Sequence, residues 1–163
     1  MSDARTGPES GAGAAADVRA RPLFIDTGAF FAYYNDRDER HDRARALFEA
    51  IQTGRLAYDP LYTTRFVLGE LTTLLLYKIG HDTASRALGD IRRADSFNIE
   101  RAGEAAFETA HSEFDRYDDQ EITLVDHLTA VLARERDVEH VFAFDSDFRT
   151  LGFIQVPEDT GEP

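Results

Sequence analysis

The sequence contains no cysteine, a single lysine (Lys78), and no apolar run long enough to span a bilayer. Without cysteine there is no disulfide, no thiol nucleophile and no thiolate-ligated zinc. A spanning helix needs about 18 consecutive apolar residues, and no stretch approaches that. Met1 to Ala20 carries acids and lacks a continuous apolar region, so it does not read as an export signal. The expected location is therefore the cytoplasm, with no membrane partner. There is no phosphate-binding glycine loop either, which removes the nucleotide-hydrolase classes built on one.

Basic charge is scarce as well. Asp and Glu total 31 against 18 Lys and Arg, a formal net charge of −13. Such an acidic, lysine-poor composition points to a salt-loving source, where high ionic strength screens self-repulsion. At 1 M salt the Debye length is about 3 Å, so an acidic chain can still meet a phosphate backbone. Charge-driven coating of nucleic acid without selectivity is excluded.

What is present is enough for one domain: 163 residues, of which 42% are hydrophobic. Residues 1–21, rich in Gly, Ala and charge, are expected to form a disordered tail. A folded domain is expected over 22–157, followed by a flexible tail at 158–163. Leu23–Ile25 reads as a short buried strand ending at Asp26, with a helix through Ala29–Tyr34. In His41–Gln52, residues Ala44, Leu47, Phe48 and Ile51 form one helical stripe, stopped by Gly54. Strands are expected at Leu61–Thr63, Phe97–Glu100, Val141–Phe144 and Phe153–Val156. Helices are expected at Arg65–Ile79, Thr83–Arg93, Glu104–Tyr117 and Thr123–Arg136. In the third of these Phe107, Ala110 and Phe114 should face inward. Short apolar strands alternating with helices indicate an α/β three-layer sandwich around a mostly parallel sheet. Ligands in such folds sit beyond the carboxyl ends of strands.

Four acids interrupt apolar sequence, where an unpaired charge is costly to bury. They are Asp26 in LFIDTGAFF, Glu70 in FVLGELTTLLL, Asp126 in ITLVDHLTAVL and Asp145 in VFAFDSDF. Each also has an ordinary structural explanation. Asp26 and Asp145 can N-cap the helices that follow them, and Thr123-x-x-Asp126 fits a capping box. Glu70 can emerge at a helix edge and pair with Arg65. Jointly, two strand-end aspartates and two helix-borne acids are what a hard cation such as Mg²⁺ needs. Clustered carboxylates also repel one another unless a cation neutralises them. Periodicity alone does not establish that they converge.

The order of these segments resembles PIN-domain nucleases, especially the VapC-type toxins of toxin–antitoxin pairs. The matching pieces are FIDTGAFFAYY, HDRARALFEAI, TTRFVLGELTTLLL, the long block from Asp119 to Phe153, and the closing strand. The resemblance spans about Pro22 to Val156. It implies a catalytic, metal-binding quartet of Asp26, Glu70, Asp126 and Asp145, with Thr27, Thr123 and Asp147 in support. His127 departs from the family, which usually has a small residue there, and Asp119 is a weaker candidate acid. The implied activity is endonucleolytic hydrolysis of RNA by metal-activated water, with Mg²⁺ or Mn²⁺, leaving a 5′-phosphate and a 3′-hydroxyl. The implied partners are a small antitoxin with a basic tail and a second copy of the chain. A housekeeping RNA-processing nuclease and a catalytically silent PIN-fold binding module are the alternatives.

Other enzyme classes fit less well. Asp145-Ser146-Asp147 resembles a haloacid-dehalogenase motif, but Arg149 stands where that motif wants Thr or Val. A response-regulator receiver needs a lysine at a strand end, and Lys78 closes a helix. Among the histidines, His41, His81, His111 and His140 are expected in surface roles. His127 lies about 100° around the helix from Asp126 and should point elsewhere. Arg37, Arg40, Arg43 and Arg45 are interleaved with acids and read as solvated helix charge.

Overall fold

The computed structural model describes residues 19–162. The tail expected over residues 1–21 lies mostly outside that range. Five strands form one sheet: β1 (Arg21–Ile25), β2 (Tyr58–Thr64), β3 (Phe97–Glu100), β4 (His140–Phe142) and β5 (Ile154–Val156). Their spatial order is β3-β2-β1-β4-β5, and every neighbouring pair is parallel. The mostly parallel sheet read from the sequence is thus wholly parallel.

Alternation along the strands splits the core in two. Leu23 and Ile25 of β1, with Phe142 of β4, face one layer of helices. That layer holds α1 (Thr27–Tyr34), α2 (His41–Gln52), α3 (Arg65–Lys78) and α4 (His81–Arg93). Phe24, Val141 and Ala143 face the other layer, made by α5 (Glu104–Arg116), α6 (Leu124–Glu135) and the short α7 (Asp147–Thr150). Period-2 alternation on strands buried on both sides produces this three-layer sandwich. Gly54 (φ +75°) and Gly80 (φ +139°) take backbone conformations that L side chains rarely adopt, which ends α2 and separates α3 from α4.

Three local expectations need correction. β2 begins at Tyr58 rather than Leu61, although Pro60 cannot donate to a ladder. Arg21 pairs with Tyr58 and Leu23 with Leu61, so a bulge places an extra residue of β2 beside the proline. Phe114 is exposed instead of inward, because Ala106 and Ala110 carry the buried face of α5. His140 is not a surface residue: it opens β4, is buried, and lies near the Tyr58 ring. The segment read as a loose C-terminal tail makes specific contacts. Asp159 accepts from the Gln155 backbone N–H at 2.8 Å and pairs with Arg149 at 2.6 Å. Glu158 pairs with Arg43 at 2.5 Å, and the Tyr58 hydroxyl donates to Glu162 at 3.2 Å.

Candidate active site at the carboxyl edge of the sheet

The chain runs from β1 to β2 on one side of the sheet and later crosses to β4 on the other. The crevice between β1 and β4 is therefore the topological switch point, where ligands bind in open α/β sheets. Asp26 leaves the carboxyl end of β1 and Asp145 follows that of β4, so both stand at this crevice. The Asp26 backbone N–H donates to the Phe142 carbonyl at 3.0 Å, which fixes the two strand ends together. The Thr63 hydroxyl donates to the Ile25 carbonyl at 3.2 Å and ties β2 to the same floor.

Asp26 is 2% exposed. Its Oδ2 accepts from the Gly28 backbone N–H at 3.2 Å, the N-cap of α1, so the capping explanation holds for one oxygen. Its Oδ1 is buried and has no hydrogen-bond partner among the described residues, and the same is true of the Thr27 hydroxyl beside it. Burial raises the Asp26 pKa well above the usual carboxylate range; the negative charges of Asp126 and Asp145 raise it further, against the backbone N–H groups of Gly28 and Thr27 nearby.

Asp126 lies in the first turn of α6 within a complete capping box. Thr123 Oγ1 accepts from the Asp126 N–H, and Asp126 Oδ2 accepts from Thr123 N–H at 3.0 Å and from its hydroxyl at 2.8 Å. Burial is the main cause that pushes Asp126 up to about 6. The two Thr123 bonds oppose the shift, and the charges of Asp145 and Glu70 add to it. Glu70 is half-buried on α3, a helix whose start is set by Thr64 accepting from the Val67 N–H at 3.0 Å. Asp145 is exposed and accepts from the Asp147 N–H at 3.1 Å. Asp147 is raised by its own burial, then by Asp145 and Glu121.

The fold thus brings Asp26, Asp126 and Asp145 within electrostatic reach of one another, with Glu70 within reach of Asp126 and Asp147 beside Asp145. Coulomb interaction extends well beyond ligation distance. Among the described residues, no three acidic or histidine side chains are drawn into an arrangement that encloses an ion. The donor set nevertheless suits a hard divalent cation, which takes oxygen ligands. The observation that tests the fit is Asp26 Oδ1: a buried carboxylate oxygen with no donor, beside other carboxylates, is relieved by a cation.

Glu121 was not singled out in the sequence because it stands in the polar run Asp118–Glu121, where an acid carries no signal. Asp119 is exposed and makes no side-chain hydrogen bond or ion pair among the described residues. His127 is fully buried between the Phe114 and Tyr117 rings, with Nδ1 3.6 Å from Glu113. It cannot reach the crevice. Of the α2 arginines, Arg43 pairs with Glu158, while Arg40 lies over the ring of Phe144, next to Asp145. A cavity of about 640 Å³ is lined by Phe30, Tyr34, Phe48, Tyr58 and Phe97. Tyr58 and Phe97 open their strands, so it lies toward the amino-terminal edge and holds none of the four acids. This cavity and the carboxylates thus lie in different places.

A wholly parallel doubly wound sheet with carboxylates at its switch point defines an α/β protein of the open-sheet type. The chain belongs to the PIN-domain family, whose model matches residues 23–154. It is 32% identical over 136 residues to the 23S rRNA-specific endonuclease VapC20 of Mycobacterium tuberculosis, covering 82% of this chain and 97% of that protein. The crystal structure of VapC20, described as a Sarcin-Ricin loop cleaving toxin, superposes with a TM-score of 0.73 at 30% identity, over 81% of this chain and 96% of that one. VapBC2 from Rickettsia felis, bound to a DNA fragment from its promoter, shares the fold at 13% identity. Its TM-score is 0.59, over 82% of this chain and 96% of that one. The family resemblance read from the sequence is borne out.

Proposed function

We propose that the chain is a Mg²⁺- or Mn²⁺-dependent endoribonuclease, the toxin of a toxin–antitoxin pair, with Asp26, Glu70, Asp126 and Asp145 as its catalytic acids. The observation that carries this reading is the buried Asp26 carboxylate, with Oδ1 free of donors and its charge opposed by Asp126 and Asp145. Its support from relatives is the similarity to the rRNA-specific endonuclease VapC20.

In this reading Asp26 and Asp145, one on each side of the crevice, hold the ion, and Asp126 and Glu70 complete its surroundings. A divalent ion bound there acidifies a water and shields charge building on the phosphorus oxygens. Glu70 takes no hydrogen bond among the described residues, which leaves it free to orient the attacking water. Thr123 holds Asp126 by two bonds to one oxygen, so that carboxylate is presented in a fixed rotamer. The Thr27 hydroxyl, unpartnered and beside Asp26, is placed to donate to a phosphate oxygen or an inner carboxylate. Asp147 braces Asp145 through its backbone N–H. Water adds to phosphorus and the bond to the 3′ oxygen breaks. That oxygen takes a proton, leaving a 3′-hydroxyl and a 5′-phosphate.

The remaining partners belong to the same proposal. A small antitoxin with a basic tail matches an acidic crevice. A homodimer is supported by apolar surface toward the end of α3, where Leu76, Tyr77 and Ile79 are exposed, Tyr77 at 81%. The place of action is the cytoplasm of a salt-loving cell, in keeping with the net charge of −13. Among the described residues no helix is long and apolar enough to cross a membrane.

The test is cleavage of labelled RNA, 23S rRNA first, in high salt with Mg²⁺ or Mn²⁺. Wild type should cut, EDTA should stop it, and Asp26→Asn should fall to background while keeping the folded circular dichroism spectrum. Equal cutting by Asp26→Asn, or cutting that survives EDTA, contradicts the assignment.

A further inference from the structure

Arginine supplies nearly all of the positive charge in this molecule, since Lys78 is the single lysine. Arg40, Arg43, Arg55, Arg93, Arg134, Arg136 and Arg149 each meet an acid. Among those that do not, three lie together. Arg65, Arg92 and Arg101 have no carboxylate partner at ion-pair distance among the described residues, yet all three line one groove of about 440 Å³. Carboxylates outnumber basic groups 31 to 18, yet this groove is lined by three arginines and by no acid.

The topology explains the convergence. Thr64 and Glu100 are register partners at the carboxyl ends of β2 and β3. Arg65 and Arg101 are the next residues, so they leave adjacent strands at the same edge that bears Asp26 and Asp145. Arg92 reaches the groove from α4, which packs along α3. The groove does not end there. Arg65 and Gly69 also line a second depression, with Glu70 and with Val125, the neighbour of Asp126. Gly69 places no side chain between the two depressions, and a Cβ there would meet nothing within 4 Å. The depressions adjoin at Arg65 and Gly69, and the second includes Glu70.

We propose that this groove is a phosphate track: Arg65, Arg92 and Arg101 hold the backbone of an RNA strand on one side of the bond to be cut. The proposal rests on the nuclease reading above and adds the direction in which the substrate leaves the acids. Guanidinium suits the task because its planar fork donates two parallel hydrogen bonds to one phosphate and stays charged at any working pH. An acidic protein needs such a feature more than a basic one does, since its overall field repels the substrate. The attraction must be local and short-ranged, which also lets it act in concentrated salt. The flanking Leu88 and Ile99 give the groove an apolar wall against which sugars or bases can lie.

The test uses the full chain and a fluorescent single-stranded RNA, with binding followed by anisotropy in EDTA and cleavage followed with Mn²⁺. The double variant Arg92→Gln/Arg101→Gln is compared with wild type and with Arg55→Gln. Arg55 precedes β2 at the opposite edge and serves as the control. The double variant should bind RNA at least tenfold more weakly. Its slope of log K against log salt should flatten by about 1.4, the loss of two contacts at about 0.7 each. Its KM for cleavage should rise in step, and Arg55→Gln should match wild type in all three. Unchanged binding and slope in the double variant, with wild type still cutting, overturns the track and leaves the nuclease reading intact. Arginine-dependent binding with no cutting by wild type supports the track and removes the nuclease reading. Competition by polyglutamate of equal charge as effective as RNA would make the groove a receptor for an acidic protein, and would overturn the proposal.

Discussion

A buried carboxylate with a raised pKa destabilises the folded chain once it must ionise, and Asp26 and Asp126 are both of this kind. The sign follows from linkage: a folded-state pKa above the unfolded value of about 3.9 means stability is present below that value and is lost as pH rises toward the folded pKa. For Asp126, raised to about 6, the loss falls between about pH 4 and 6 and is worth about 3 kcal/mol. Thermal unfolding in EDTA should therefore show a falling midpoint across that interval, and Asp126→Asn should flatten it. Asp26→Asn should behave in an apparently paradoxical way at pH 8: no cleavage, but a higher unfolding midpoint in EDTA than wild type. At about 2–4 °C per kcal/mol for a chain of this size, the change is measurable by scanning calorimetry. A lower midpoint for Asp26→Asn would mean that its role as N-cap of α1 outweighs the repulsion it feels.

Elements explain which parts of this site were legible in the sequence. The aspartates that close FID and FAFD were readable because an apolar run stops at a charge, and both follow strands that meet at the switch point, Asp26 directly and Asp145 three residues past β4. The capping box at Thr123 was equally readable, and it coexists with the proposed role of Asp126 because one oxygen serves the cap. Thr123→Ala removes the box, which should cost about 1 kcal/mol of stability and lower cleavage as well by releasing Asp126. Thr123→Ser should restore both, and chemical denaturation alongside cleavage rates checks the pair. Loss of stability with cleavage unaffected would confine Thr123 to the cap.

Less was visible where tertiary packing decides. Phe114 follows the period of an inward residue, but alanines at 106 and 110 let α5 approach α6 closely and leave the larger ring outside. Pro60 argues against a strand, and only the bulge between Arg21 and Leu23 shows how β2 accommodates it. The arginine groove is invisible to any local reading. Arg65, Arg92 and Arg101 come from a helix start, a helix end and a post-strand loop, and only the register of β2 with β3 brings two of them together.

For the whole molecule the governing quantity is a net charge of −13 on 163 residues. Self-repulsion on that scale destabilises the compact state in dilute buffer, and salt screens it. The unfolding midpoint should rise steadily from 0.1 M to above 1 M KCl, and by more than sucrose raises it through its exclusion from the surface. A midpoint that falls with KCl would contradict the reading of the composition as an adaptation to salt.

The central claim is that separated acids share one divalent cation, and calorimetric titration of Mn²⁺ at pH 6 tests it without reference to any substrate. Wild type should bind the ion with release of protons, because carboxylates held protonated by burial and mutual repulsion must ionise to ligate. Asp26→Asn and Asp145→Asn should each weaken the binding and diminish that release. Binding by both variants that is indistinguishable from wild type, in affinity and in protons released, would show that the ion sits elsewhere.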